Sequence, residues 1–238
     1  MARRVSRRRF LQASGLTAAG AGLAGSAAVA AEPAESAASA EKIKIIGVAC
    51  SPRKGKTTAQ AVGAALEAAK AVAPDRIEVE LIELADLEIP GCVAAGIPLK
   101  EGQRDDFPPL AEKLADKQTA AIIIGSPVYF GCMSYLCKAF LDRWIVLRKQ
   151  FALSGKVGGA IAVGAGRNGG QELTLQAIRN ALSSHEMILV GDGKPTAHWG
   201  ATVWNNGKDD ITQDEIGMAT LKNLGRRVAE VALACRGK

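Results

Sequence analysis

The chain reads as an α/β protein built on a doubly wound, five-stranded parallel sheet with helices on both faces. Three observations predict this. Apolar runs alternate with helix-patterned stretches from about residue 43 to residue 235. The runs are nearly continuous, as in Ala120-Ala121-Ile122-Ile123-Ile124, the pattern of strands buried on both faces. Several runs also end in short polar or glycine-rich turns that open directly into a helix, the form of a βα connection.

Strands are expected at 43–49, 77–84, 120–126, 157–163 and 187–191, and helices at 57–73, 107–117, 133–148, 170–184 and 213–235. The first strand, around Ile45-Ile46-Gly47-Val48-Ala49, stops at a turn of small and polar residues, and the helix after it is rich in Ala, Glu and Gln. Asp105-Asp106-Phe107 reads as the cap of the second helix. In the third helix Phe140 and Trp144 lie four residues apart on one face and belong to the core. His185 falls at the end of the fourth helix, where a cation complements the dipole. In an open sheet of this kind ligands sit beyond the carboxyl ends of the strands, at the point where the strand order reverses. The loops after strands one, three and four are therefore the candidates.

The formal net charge is +6, but residues 1–31 hold Arg3, Arg4, Arg7, Arg8 and Arg9 and no acidic residue. The remaining 207 residues carry 25 basic side chains against 24 acidic ones, which argues against a nucleic-acid surface. Ser6-Arg7-Arg8-Arg9-Phe10-Leu11-Gln12, a mild Ala/Gly/Leu stretch and Ala28-Val29-Ala30 resemble a twin-arginine signal peptide, expected over 1–31. We expect the export machinery of that route as a partner and a periplasmic or extracytoplasmic location. Cleavage after Ala30 or Ala40, and retention of the leader, all stay open. Residues 32–41 read as a linker and 42–238 as one domain. The five cysteines, Cys50, Cys92, Cys132, Cys137 and Cys235, form no CxxC pair, and most are expected to be small buried hydrophobes.

The first loop, Cys50-Ser51-Pro52-Arg53-Lys54-Gly55-Lys56-Thr57-Thr58, is an anion site: N–H groups at a helix start, hydroxyls and cations converge there. Gly55-Lys56-Thr57 also matches the end of a P-loop. However, Cys50 stands where that motif needs its first glycine, and the third strand ends in Gly125-Ser126 rather than an aspartate that would hold magnesium. The second loop, Gly125 to Ser134, sets Pro127 and Val128 beside Tyr129 and Phe130, an apolar wall suited to a flat aromatic ligand. The third, Gly164 to Glu172, lets backbone approach a ligand closely, though its glycines miss the full dinucleotide spacing.

Taken together, Ser51 to Thr58, Gly125 to Gly131 with Lys138 to Arg143, and Gly164 to Glu172 resemble the flavodoxin-like NADPH-dependent FMN reductase family, in the branch that includes the iron–sulfur flavoproteins. The resemblance covers about residues 42–192. It implies a flavodoxin-like fold and FMN as cofactor, with NAD(P)H as co-substrate. It assigns the FMN phosphate to Ser51, Arg53, Lys56, Thr57 and Thr58, with Thr57 standing where the family usually has Asn. It lays Pro127, Val128, Tyr129, Phe130 and Gly131 against the isoalloxazine, and Gly166, Arg167, Gly169 and Gly170 along its far side. The cluster-bearing members carry a compact set of cysteines after the second strand. Here Pro90-Gly91-Cys92-Val93-Ala94-Ala95-Gly96 keeps one, so we expect no iron–sulfur cluster and no metal site.

Such an enzyme needs no catalytic side chain of its own, because the flavin carries the electrons. His198 and Trp199, after the fifth strand, are the substrate-side candidates. The expected activity is an FMN-dependent NAD(P)H oxidoreductase that reduces a quinone, a flavin or another small acceptor. An exported electron carrier is the alternative, and a P-loop protein a remote one. Arg53, Lys54, Lys56, Arg167 and Lys194 make the loops neutral to basic, which favours the enzyme over a carrier ringed by acidic docking residues. A homo-oligomer, dimer or tetramer, is expected.

Overall fold

The computed structural model describes residues 41–236. The leader and nearly all of the linker lie outside the described residues. In chain order the elements are β1 (Ile43–Ala49), α1 (Thr57–Lys70), β2 (Ile77–Glu83), α2 (Phe107–Ala115), β3 (Thr119–Tyr129), β4 (Cys132–Met133), α3 (Tyr135–Arg143), α4 (Ile145–Arg148), β5 (Val157–Gly164), α5 (Gln171–Ser183), β6 (Ile188–Leu189), β7 (Ala201–Trp204) and α6 (Glu215–Arg236). No helix among the described residues is long and apolar enough to cross a membrane.

Strand order is β2-β1-β3-β5-β6, all parallel, with β7 also parallel to β5 and β4 antiparallel to β3. From β1 the chain first builds outward to β2 and then back across to β3. The order therefore reverses between β1 and β3, the point at whose carboxyl ends ligands sit in open sheets of this kind. The apolar side chains of β1, β3 and β5 alternate between two cores. Ile46, Val48, Ile122 and Ile124 meet α2, α3 and α5, whereas Ile43, Ile45, Ile123 and Ile161 meet α1 and α6. Burial on both faces accounts for the unbroken apolar runs. Phe140 and Trp144 are fully buried, as their spacing predicts.

Three parts of the sequence reading need correction. The fifth strand is not one segment at 187–191. Only Ile188 and Leu189 pair with the first half of β5, at Val157 and Gly158. The chain then leaves the sheet and returns as β7, which pairs with Ile161–Gly164. Asp192, fully buried, draws the excursion inward by accepting hydrogen bonds from the backbone N–H and Nδ1 of His198. The cysteines also divide differently: Cys50 and Cys137 are buried, but Cys92, Cys132 and Cys235 are exposed. His185 is no cationic cap. It is buried with its ring edge-on to Trp144, centroids 5.4 Å apart, and burial, helped by Arg148, lowers its pKa toward the neutral form.

Helices α1 and α6 cross closely on one face. A Cβ at Gly225 of α6 would lie 1.9 Å from the Ala65 carbonyl oxygen, whereas one at Gly63 of α1 meets nothing within 4 Å. Helix propensity alone favours alanine at both positions by about 0.5–1 kcal/mol. Gly63→Ala should therefore raise the urea midpoint, while Gly225→Ala should lower stability by about 1–3 kcal/mol through overpacking. Equal gains from both substitutions would refute this packing account.

Candidate functional site

The first loop leaves β1 as the buried pair Cys50-Ser51, and the Ser51 hydroxyl accepts a hydrogen bond from the Arg53 N–H at 3.1 Å. That short turn projects Arg53, Lys54 and Lys56 outward. Gly55, at φ +65°, reverses the chain, and its N–H donates to the Glu83 carboxylate at 2.6 Å. Helix α1 then begins with no side-chain cap, and the hydroxyl-bearing Thr57 and Thr58 are buried at its first turn. An uncapped 14-residue helix that starts among buried hydroxyls and two cations has the donor set a phosphate needs.

The second loop is a hairpin. Val128 pairs with Met133 and Tyr129 with Cys132, leaving Phe130 (φ +50°) and Gly131 (φ +74°) as a two-residue turn in the left-handed region. This projects Phe130 fully into solvent, with Tyr129 partly exposed beside it. Pro127 and Val128 are half-buried at the base. Ser134 joins this loop to the first: its hydroxyl donates to the Cys50 carbonyl at 2.6 Å and accepts from the Cys137 N–H at 3.0 Å, capping α3.

The third loop is braced from within by Gln171, a buried residue the sequence reading passed over. Its carboxamide accepts from the Gly169 N–H at 2.8 Å and donates to the Gly166 carbonyl at 2.6 Å. A Cβ at Gly170 (φ +100°) would lie 2.6 Å from the Gly131 Cα, so the second and third loops touch backbone to backbone. Ser51, Arg53, Lys56, Thr57 and Thr58 thus lie in one loop, tied through Ser134 to the loop of Pro127 to Gly131, which in turn meets Gly170.

Arg167 turns elsewhere. It pairs with the buried Asp214 and lies over the Trp204 ring, 5.7 Å from its centroid. Asp214 also accepts from the Trp204 and Gly217 N–H groups, both at 2.9 Å, which fixes the start of α6. On that side a cleft of about 490 Å³ opens between α5 and β7, lined by Arg167, Glu172, His198, Thr202 and Trp204 among others. His198, half-exposed and oriented by Asp192, faces it, whereas Trp199 borders a smaller adjoining hollow of about 340 Å³. No residue of the first loop lines either hollow. His198 and Trp199 therefore stand beside the third loop, away from the anion cradle.

The loops are also less basic than the sequence suggests. Lys54 pairs with Asp86, Arg53 and Lys56 both pair with Asp209, and Arg167 pairs with Asp214. Among these partners Asp209 and Asp214 come from the connection between β7 and α6, far along the chain.

Together, the doubly wound sheet and a phosphate-type cradle at its switch point define a flavodoxin-like architecture. The sequence matches the NADPH-dependent FMN reductase family over residues 43–201, and the chain belongs to that family. It is 46% identical over 192 residues to an iron–sulfur flavoprotein of Methanocaldococcus jannaschii, covering 79% of this chain and 97% of that protein. It is 31% identical over 179 residues to an NAD(P)H dehydrogenase (quinone) of Chromohalobacter salexigens, covering 67% and 84%. In fold it is similar to a WrbA-like flavodoxin from Agrobacterium tumefaciens, with a TM-score of 0.57, 20% identity, and 81% and 98% of the two chains covered.

The kinship to iron–sulfur flavoproteins raises the question of a cluster. The segment after β2 forms one 3₁₀ turn at Gly91–Ala95, with the exposed Cys92 as its only cysteine. The described residues bring together no group of three or more His, Cys, Asp or Glu that suits a metal. These residues do not fit a four-thiolate cluster. The segment is instead pinned by an ion pair: Arg143, nearly fully buried, forms two hydrogen bonds to Asp105 at 2.9 and 2.7 Å and a third to the Pro90 carbonyl at 3.3 Å. Asp105 also accepts from the Phe107 N–H at 3.1 Å, whereas Asp106, the N-cap of α2, makes no side-chain capping bond.

Hydrogen bonding to Arg143 holds the Asp105 carboxyl below the usual carboxylate range. A depressed folded-state pKa contributes stability that is complete above the ordinary Asp value of about 4 and is lost as pH falls through the lower folded value. Asp105→Asn should therefore lower stability at neutral pH and make its decline in acid shallower. Urea midpoints measured between pH 7 and pH 2.5 check this; an unchanged acid slope would refute the pairing.

Proposed function

We propose that the chain holds FMN across the carboxyl edge of β1, β3 and β5 and uses it to pass electrons from NAD(P)H to a quinone, a flavin or another small acceptor. One observation carries the reading: three loops tied to one another offer an uncapped helix start with cations at one end and the Tyr129–Phe130 wall at the other. Membership of the FMN reductase family and likeness to an NAD(P)H dehydrogenase (quinone) support it.

In this reading Ser51, Arg53, Lys56, Thr57, Thr58 and the first N–H groups of α1 hold the phosphate. Pro127 to Gly131 flank the ring on one side, and Gly166, Gly169 and Gly170 border it on the other through backbone contacts. FMN supplies hydride or single-electron chemistry when bound. The protein's part is to fix the ring, leave one edge open and shield the rest from water. His198 and Trp199 serve the acceptor from the neighbouring cleft. Exposed Phe130, Tyr135 and Leu173 support a homo-oligomer that covers this apolar rim. The twin-arginine leader carries the folded, FMN-loaded protein to the periplasm.

A second reading, an exported electron carrier, is favoured by one observation. The ion pairs to Asp86, Asp209 and Asp214 offset the loop cations, so charge no longer counts against a protein partner. NADPH added without oxygen to purified, FMN-loaded protein separates the two. Bleaching of the flavin band supports the enzyme, an unbleached flavin supports the carrier, and no flavin absorbance even with added FMN refutes both. Arg53→Ala should weaken FMN binding about 10-fold or more, the weight of a charge-assisted phosphate contact, and leave riboflavin nearly unchanged. Fluorescence quenching titrations measure both.

A further inference from the structure

The turn between β7 and α6 does something no cofactor-binding loop needs to do: it closes over the anion cradle with an anion of its own. One carboxylate, that of Asp209, reaches Arg53 at 2.7 Å and Lys56 at 2.9 Å. Four residues earlier, Asn205 reaches the Thr57 hydroxyl at 3.4 Å. Three of the residues assigned to the FMN phosphate are therefore touched by a single strap. The strap is locally organised. Asn205 accepts from the Gly207 N–H at 3.0 Å and from the Lys208 N–H at 2.8 Å, and its own N–H donates to the Gly164 carbonyl at 3.0 Å, at the root of the third loop.

We propose that Asp209 is a built-in stand-in for the FMN phosphate, a competing anion that the cofactor must displace to seat itself. The inference rests on the FMN reading above. Its physical basis is the mismatch between the two anions. The side chains of Asp209, Arg53 and Lys56 are 42%, 50% and 45% exposed, and ion pairs at that exposure are weak and readily exchanged. A phosphate carries more charge and more acceptor oxygens, and it also engages the N–H groups of α1 that Asp209 leaves alone. Lys56 and Arg53 hold the Asp209 carboxyl below its ordinary range, so it stays anionic and competes throughout the neutral range. Glu83, already on the Gly55 N–H, adds a second negative charge beside the cradle.

Two properties follow. The empty cradle keeps its cations paired, so the flavin-free protein does not present a bare positive patch. The site also discriminates by phosphate: FMN opens the strap, whereas riboflavin has nothing to exchange for Asp209.

The test uses Asp209→Asn, which keeps the side chain's size and removes its charge at an exposed position. FMN should bind about three- to tenfold more tightly to the variant than to the parent chain, while riboflavin affinity stays the same. Adding FMN to the parent chain should speed amide exchange across residues 205–210. In the Arg53→Ala background the gain from Asp209→Asn should shrink. Unchanged or weaker FMN binding by the variant, or an equal gain for riboflavin, would overturn the proposal and make Asp209 a support for the cations. If the parent chain binds no FMN, the functional reading fails, and inorganic phosphate becomes the probe. A variant that then binds phosphate more tightly upholds the stand-in role, and one that does not refutes it.

Discussion

The candidate site depends on the hydroxyl of Ser134. It donates to the first carbonyl of the loop after β1, at Cys50, and accepts from the first turn of α3, while the Ser134 N–H donates to Ser126 at 3.0 Å. One buried side chain thus fixes the phosphate-type loop, the aromatic hairpin and the helix behind them in a common frame. Two flexible loops held separately would each carry their own ordering cost into ligand binding. Here folding sets most of that order in advance. The contact between Gly170 and Gly131 extends the frame to the third loop without any side chain.

The interior of the fold was legible because parallel strands with two covered faces leave little choice of residue. Ile45, Ile122 and Ile161 are fully buried, and runs of that kind read as central strands. The edge strand β2 was read correctly, but the opposite edge of the sheet, at β6 and β7, was not legible. Ile188 and Leu189 are only two paired residues, and Ala201–Trp204 joins β5 after a detour whose geometry is set by the buried Asp192. A short edge strand makes few contacts, so it leaves a faint pattern. The carboxylate that shapes the detour looks in the sequence like an ordinary loop acid.

The same division runs through the site. The loops themselves could be found, since hydroxyls, cations and glycines directly after apolar strands have a physical reason to be there. Their partners could not. Asp209 stands 156 residues from Arg53, and Asp214 stands 47 residues from Arg167. Gln171 is near in sequence but looks like any polar residue at a helix start, and only its burial shows that it braces the glycine turn. The pairing of these loop cations was hidden for one reason: local sequence displays a charge but not the distant charge that meets it.

The Arg143–Asp105 pair bears on how the molecule is made. In a protein whose second crossover is organised by an inorganic cluster, correct folding waits on iron, sulfide and the machinery that delivers them. Here the crossover is fastened by a guanidinium, a carboxylate and the Pro90 carbonyl, all encoded in the polypeptide. The Arg143–Asp105 contact itself forms as the chain folds, from two groups 38 residues apart, and needs no group from outside the polypeptide.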